Sequence, residues 1–200
     1  MALPKSTYVT EEEYLAYEDS NEFRHEYAKG KIMVKEGSTR EHSLICTNLI
    51  LCLSDHLSEQ DCDMMVIQMR VHIPATGSYR YPDVVIVCDK PQYSDEKEYN
   101  LLNPIVLMEV LSEETEIIDH VEKLAEYRRI PSLQEYLLIS QDAPRIERYL
   151  KQDEHNWLYT ELTGLDQQLA LPSIDCTLQF SDVFHRIDFD TPSDPSESPE

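Results

Sequence analysis

Ile105-Val-Leu-Met-Glu-Val-Leu111 is an apolar run interrupted by one carboxylate. Such a run reads as a strand buried on both faces, which belongs in the middle of a sheet with other layers packed on it. Val84–Cys88 is a second run of this kind and Glu135–Ser140 a third. Asp89–Asn103, between the first two, is polar and loop-like. Glu109 inside an apolar strand is costly unless paired or metal-bound. The plainer alternative is a polar residue facing a sheet edge.

Working outward, Thr10 followed by Glu11, Glu12 and Glu13 is a capping-box start, and a short helix runs from it to about Asp19. Phe23–Tyr27 and Lys31–Lys35, joined at Ala28-Lys-Gly30, read as a hairpin. Arg40 to about Ser58 carries apolar residues at helical spacing. Met64–Ile73 reads as a strand, and Pro74-Ala-Thr-Gly77 as a turn. Ile117–Arg129 reads as a helix with Ile117, Ile118, Val121, Leu124 and Ala125 as its apolar stripe, ended by Pro131. Arg145–Leu150 and Trp157–Leu162 form a hairpin, and Phe180–Ile187 a closing helix. This order predicts one mixed α/β (α+β) domain over residues 1–187, a central mixed sheet flanked by helices. Residues 188–200 are an acidic tail, disordered by composition.

The chain has 200 residues and a net charge of −22. The tail holds five acids and no base, which leaves −17 on the rest. An acidic surface repels nucleic acid at long range, so a nucleic-acid reading requires a local basic patch, bound metal ions or dimerisation. No stretch approaches the ~20 apolar residues that cross a bilayer. The start lacks the apolar centre of a secretory signal. A cytoplasmic protein without membrane contact is expected. The five cysteines, Cys46, Cys52, Cys62, Cys88 and Cys176, form no C-x-x-C pair and read as buried reduced thiols.

Asp83 opens the Val84–Cys88 strand directly after Pro82. Alone it is as easily a turn former. As the partner of Glu109 on an adjacent strand it makes an oxygen-ligand site for a divalent cation. Lys123 stands four residues after Asp119, so an ordinary i,i+4 ion pair is one reading. Asp119, Lys123, Glu126 and Tyr127 share one side of the helix, which lets Lys123 lean toward the sheet. The histidines show no H-x-x-x-H pair, and no glycine-rich phosphate loop is present.

Pro82-Asp83 followed by an apolar strand carrying Glu109 resembles the P-D…(D/E)-x-K motif of the restriction-endonuclease-like superfamily. That motif puts its lysine at position 111, which here is Leu111. The chain resembles the branch whose lysine has moved to the next helix, the Uma-type family. The similarity rests on Phe23-Arg-His-Glu-Tyr-Ala-Lys-Gly-Lys-Ile32, Arg40-Glu-His42, Tyr79-Arg-Tyr-Pro-Asp-Val84, Asn103-Pro-Ile-Val-Leu-Met-Glu-Val-Leu-Ser112, Asp119 through Lys123 to Tyr127, and Ile130-Pro-Ser-Leu-Gln-Glu-Tyr136. It spans about residues 8–187.

The resemblance implies a restriction-endonuclease-like core and a Mg²⁺- or Mn²⁺-dependent endonuclease acting on DNA. Asp83 and Glu109 would bind the metal, and Lys123 would steady the attacking hydroxide or the transition-state charge. Glu26 matches an early acidic position, as a further ligand or a supporting residue; as a plain strand residue it would be solvated. His42 matches a histidine near a helix start, touching the site or DNA, or else capping or packing. Arg80 contacts phosphate or lies on the strand surface. A homodimer is expected, because duplex DNA has pseudo-two-fold symmetry. The alternatives are a non-catalytic module on the nuclease fold, or a nuclease for another nucleic acid or a nucleotide.

Overall fold

The computed structural model describes residues 8–35, 37–66, 68–112 and 116–189. Helix α1 (Glu11–Asp19) starts on the capping box, with the Thr10 hydroxyl accepting from the Glu13 N–H and the Glu13 carboxylate accepting from the Thr10 N–H. The hairpin of β1 (His25–Ala28) and β2 (Lys31–Val34) turns through Lys29 and Gly30, both at positive φ. That pair of conformations matches the right-handed twist of the strands. Helix α2 (Arg40–Ser58) is capped by the Thr39 hydroxyl, which accepts from the His42 N–H. Then come β3 (Cys62–Val66), β4 (Arg70–Ile73), β5 (Ser78–Arg80), β6 (Val84–Cys88), β7 (Asn100–Leu101) and β8 (Val106–Leu111). A π-helix (Ile118–Lys123) runs into α3 (Leu124–Tyr127), followed by β9 (Glu135–Ser140), β10 (Arg145–Lys151) and β11 (Trp157–Thr163). A last hairpin, β12 (Gln168–Leu171) and β13 (Cys176–Gln179), leads to α4 (Phe180–Val183).

Six strands form a mixed sheet in the order β11-β10-β9-β8-β6-β3, with β8 and β9 parallel. As the continuous apolar runs require, its central strands are buried on both faces. Val84, Ile86, Val106 and Met108 pack against Ile45, Leu49 and Leu53 of α2. Val85, Val87 and Leu107 pack on the other face against Val71, Ile73, Leu101 and Tyr127. A five-stranded mixed sheet, β2-β1-β5-β4-β7, forms the neighbouring layer. No helix among the described residues is long and apolar enough to cross a membrane.

Five expectations need correction. Met64–Ile73 is two strands in different sheets, β3 pairing with β6 and β4 with β5; the Gln68 N–H donates to the Val66 carbonyl between them, and neither Gly nor Pro marks the break in the sequence. The loop Asp89–Asn103 contains the short strand β7. The closing helix stops at Val183, and Arg186 takes a positive φ of 61°. Phe180, Val183, Phe184 and Ile187 are nonetheless all buried, so the periodic pattern marked the core and misjudged the backbone. Cys62 and Cys88 are directly opposed in the β3–β6 register and form a disulfide, not a pair of reduced thiols. Finally, Ile117 and Val121 of the expected core stripe are 78% and 62% exposed, while Asp119, Lys123, Glu126 and Tyr127 are buried. The β12–β13 hairpin was not foreseen. The acidic tail beyond residue 189 lies outside the described residues.

Candidate active site

Antiparallel pairing of β6 with β8 sets Val84 against Met108, so one residue further on Asp83 stands against Glu109. Register alone thus brings the two carboxylates together. Both line a cleft of about 180 Å³ with Glu26, Lys35, His42 and Lys123.

Asp83 is buried and fully engaged. Its Oδ1 lies 3.0 Å from Lys35 Nζ. Its Oδ2 accepts from the Val110 N–H at 2.8 Å and lies 3.1 Å from His42 Nε2. Burial opposes the charge, but Lys35, His42 and the Val110 N–H outweigh it and hold the carboxyl well below the usual carboxylate range. His42 reaches the site because Thr39 ends the preceding chain and fixes the first turn of α2.

Glu109 accepts from Lys123 Nζ at 2.9 Å and from the Tyr127 hydroxyl at 2.8 Å, both on its Oε1. Burial pushes its pKa up against the pull of Lys123 and Lys35. Lys123 also lies 2.8 Å from Asp119 Oδ1 and 3.5 Å from Glu26 Oε1. Burial works against that ammonium too, yet Glu109, Glu26 and Asp119 hold it charged far above the ordinary lysine range. The π-helix puts Asp119 and Lys123 on its inward face. A turn of this kind leaves backbone carbonyls without helical donors, and the Tyr136 hydroxyl donates to that of Asp119 at 3.2 Å.

Glu26, on β1, accepts from the Tyr81 N–H and from Arg80 Nη1. Burial would raise its pKa, but Lys123, Arg80 and Lys35 bring it down to about 2. It is neither solvated nor isolated. Arg80 is fully buried, with its Nε and Nη2 on the two Glu126 oxygens at 2.8 and 3.1 Å. It is therefore neither a strand-surface arginine nor directed at solvent. It ties the Glu26 carboxylate to α3.

Lys35 is the site residue that the sequence reading passed over. Its ammonium contacts Asp83 and donates to the Tyr81 carbonyl at 2.5 Å. The hairpin register held the signal: Glu26 opposes Met33, and period-two alternation then puts Lys35 on the Glu26 face.

Four carboxylates (Glu26, Asp83, Glu109, Asp119) and two ammoniums (Lys35, Lys123) share this region. With Glu109 ionised, the excess among these six groups is two negative charges, the charge of one divalent cation. The oxygen donors suit Mg²⁺ or Mn²⁺, and the cleft has room for a hydrated ion. His42, Cys46 and Asp83 also bring potential ligand atoms within 4.8 Å of one another. Burial, however, pushes the Cys46 thiol up to about 12, which leaves it a neutral, poor ligand. The residues present fit a hard divalent cation on the carboxylates.

A family model described as "Uma2: Putative restriction endonuclease" matches residues 11–181. Uncharacterized protein sll1609 of Synechocystis sp. (strain ATCC 27184 / PCC 6803 / Kazusa) is 33% identical over 169 residues, covering 84% of this chain and 96% of that one. Uncharacterized protein slr1290 of the same organism is 32% identical over 182 residues, 90% and 94% of the two chains. The crystal structure of a "putative nuclease belonging to DUF820" from Anabaena variabilis ATCC 29413 superposes with a TM-score of 0.70 at 19% identity, covering 88% of this chain and 97% of that chain. The fold is a restriction-endonuclease-like core.

Proposed function

The chain belongs to the Uma2 family, described as "Putative restriction endonuclease", and from that membership we propose that it is a divalent-metal-dependent endonuclease hydrolysing phosphodiester bonds of DNA. The observation that carries this reading is the buried convergence of Asp83, Glu109 and Lys123 from β6, β8 and the π-helix on one cleft. Asp83 and Glu109 hold the metal, with Glu26 beside them. When bound, Mg²⁺ or Mn²⁺ supplies polarisation of a phosphodiester oxygen and a lowered pKa for a coordinated water.

The chain's own residues do the remaining work. Lys123 presents a fixed positive charge where the attacking oxygen and the pentavalent phosphorus gather negative charge. Lys35 adds a second cation on the Asp83 side of the cleft. His42 and the Val110 N–H fix the rotamer of Asp83. Arg80 holds Glu26 in place. A two-fold dimer fits cleavage of both strands of a duplex.

The net charge of −22 favours one second reading, a non-catalytic module on the nuclease fold. Incubating plasmid DNA with Mg²⁺ or Mn²⁺ separates the two. Nicking by wild type that is lost in Asp83→Asn supports the endonuclease. Equal, background-level cutting by both proteins across DNA substrates rejects it.

A further inference from the structure

On β1, β4 and β5 the side chains alternate between two faces. Glu26 and Arg80 turn toward the cleft described above, whereas His25, Tyr79, Tyr81 and Arg70 turn toward α1. Arg70 is 3% exposed. Its guanidinium lies 5.7 Å from the Tyr14 ring centroid and 5.6 Å from that of Tyr79. Its Nε donates to the neutral Asn100 Oδ1 at 2.5 Å. Its Nη1 has no hydrogen-bond acceptor. Among the described residues, no carboxylate forms an ion pair with it. The nearby acid is Glu18, whose oxygens already accept from the His25 N–H, lie 2.9 Å from His25 Nδ1 and accept from the Tyr81 hydroxyl. Glu18 and Tyr14 favour the charge on Arg70, but its Nη1 is left without an acceptor, and a buried N–H without a partner is costly.

Arg70 forms part of the wall of a cleft of about 280 Å³, with Arg24 and Lys97 also on it. Lys97 pairs with Asp19. Glu18, Asp19 and Glu98 balance Arg24, Arg70 and Lys97 on the cleft wall, so the feature that points to an anion is the buried Arg70 Nη1, which has no acceptor. We propose that this cleft is a phosphate-binding site, with Arg70 at its base and Arg24 at its mouth. An arginine fork pairs with two phosphate oxygens at once. The position across the sheet from the carboxylate cleft favours a small phosphorylated ligand over a nucleic-acid backbone. Tyr81 joins the two clefts: its hydroxyl donates to Glu18, its N–H to Glu26, and its carbonyl accepts from Lys35.

The test is titration of metal-free protein with inorganic phosphate, read by calorimetry and thermal shift against chloride at matched ionic strength. Wild type is expected to show a saturable response, with the melting temperature up by about 3 °C at tenfold excess over Kd. Arg24→Gln, on the surface, should weaken binding about tenfold or more. Arg70→Lys, which keeps the charge without the fork, should weaken it as well. Asp83→Asn should respond like wild type, which separates this site from the nuclease reading. An unsaturable response, equal binding by wild type and Arg24→Gln, or loss of binding in Asp83→Asn would overturn the proposal. If Arg70→Lys fails to fold, the Arg24→Gln comparison decides. A single-stranded oligonucleotide with no terminal phosphate distinguishes the sources. Failure to displace phosphate assigns the site to small phosphates, and displacement assigns it to the nucleic-acid backbone.

Discussion

Lys123 Nζ lies 2.9 Å from Glu109 Oε1, and both side chains are buried, at 5% and 3% exposure. The pair joins the π-helix to the centre of the six-stranded sheet. The lysine is the counter-charge for Glu109, Glu26 and Asp119 together. Removing one member of a buried ion pair leaves charge that nothing nearby neutralises. Lys123→Met, measured by urea unfolding with chelator present, is expected to lose about 3–5 kcal/mol. Adding Glu109→Gln should recover part of that loss, because the orphaned carboxylate goes with it. A single variant as stable as wild type would mean that Lys123 is not the cation the cleft depends on.

Glu109 gives the cleft its pH dependence. Burial raises its pKa against the pull of Lys123 and Lys35, so the metal-free protein keeps a proton there to higher pH than an ordinary glutamate does. Metal ligation needs the carboxylate. Mn²⁺ affinity should therefore rise with pH as that proton is lost, and binding should release it. The rise approaches about tenfold per pH unit while Glu109 is mostly protonated. Calorimetry in two buffers of different ionisation enthalpy counts the protons released. Zero protons together with a flat affinity between the ordinary glutamate pKa of about 4.3 and the raised value of about 8 would exclude Glu109 as the titrating ligand.

His120 anchors the same π-helix from its outer side. Its Nδ1 lies 2.8 Å from the Glu116 carbonyl and its Nε2 lies 3.0 Å from Glu147 Oε2. Burial opposes the charged ring, but these two acceptors outweigh it and raise the pKa. A raised histidine pKa contributes stability that is full below the unfolded value of about 6.5 and is lost as pH rises through the folded value. The ring is partly solvated, so its worth is under about 1 kcal/mol. His120→Gln should flatten the stability profile from just below pH 6.5 upward. If wild type and variant lose stability in parallel across that window, the contact is electrostatically silent.

How much of this was legible in the sequence depended on which physical signal each part carried. The strands holding Asp83 and Glu109 were plain, because β-branched runs buried on both faces leave a continuous apolar trace. Helices α1 and α2 were equally plain, the first from its capping box and the second from its apolar spacing. Asp83 facing Glu109 needed the strand register, and Lys35 needed the hairpin register; no single residue spells out either. The Cys62–Cys88 disulfide needed the β3–β6 register in the same way. The π-helix misled most: its apolar residues pointed to the wrong inward face, and the shared side of Asp119, Lys123, Glu126 and Tyr127 suggested only that Lys123 leans toward the sheet. That face is set instead by a buried charge network, Lys123 with Glu109 and Arg80 with Glu126, which a hydropathy pattern scores as surface.

That inversion makes a test with opposite outcomes for the two readings. If the apolar stripe faced the core, Val121→Asp would place a charge among apolar side chains and Glu126→Ala would be harmless. In the structure Val121 is 62% exposed, while Glu126 takes two hydrogen bonds from the fully buried Arg80. Val121→Asp should thus shift stability by less than about 0.5 kcal/mol, as surface substitutions do. Glu126→Ala leaves Arg80 with Glu26 as its main partner and should lose about 3 kcal/mol or more. It should also weaken Mn²⁺ binding, because Arg80 fixes the position of Glu26. Urea unfolding of the two variants side by side ranks them. A larger loss in Val121→Asp than in Glu126→Ala would return the apolar stripe to the core and dissolve the charge network that organises the cleft.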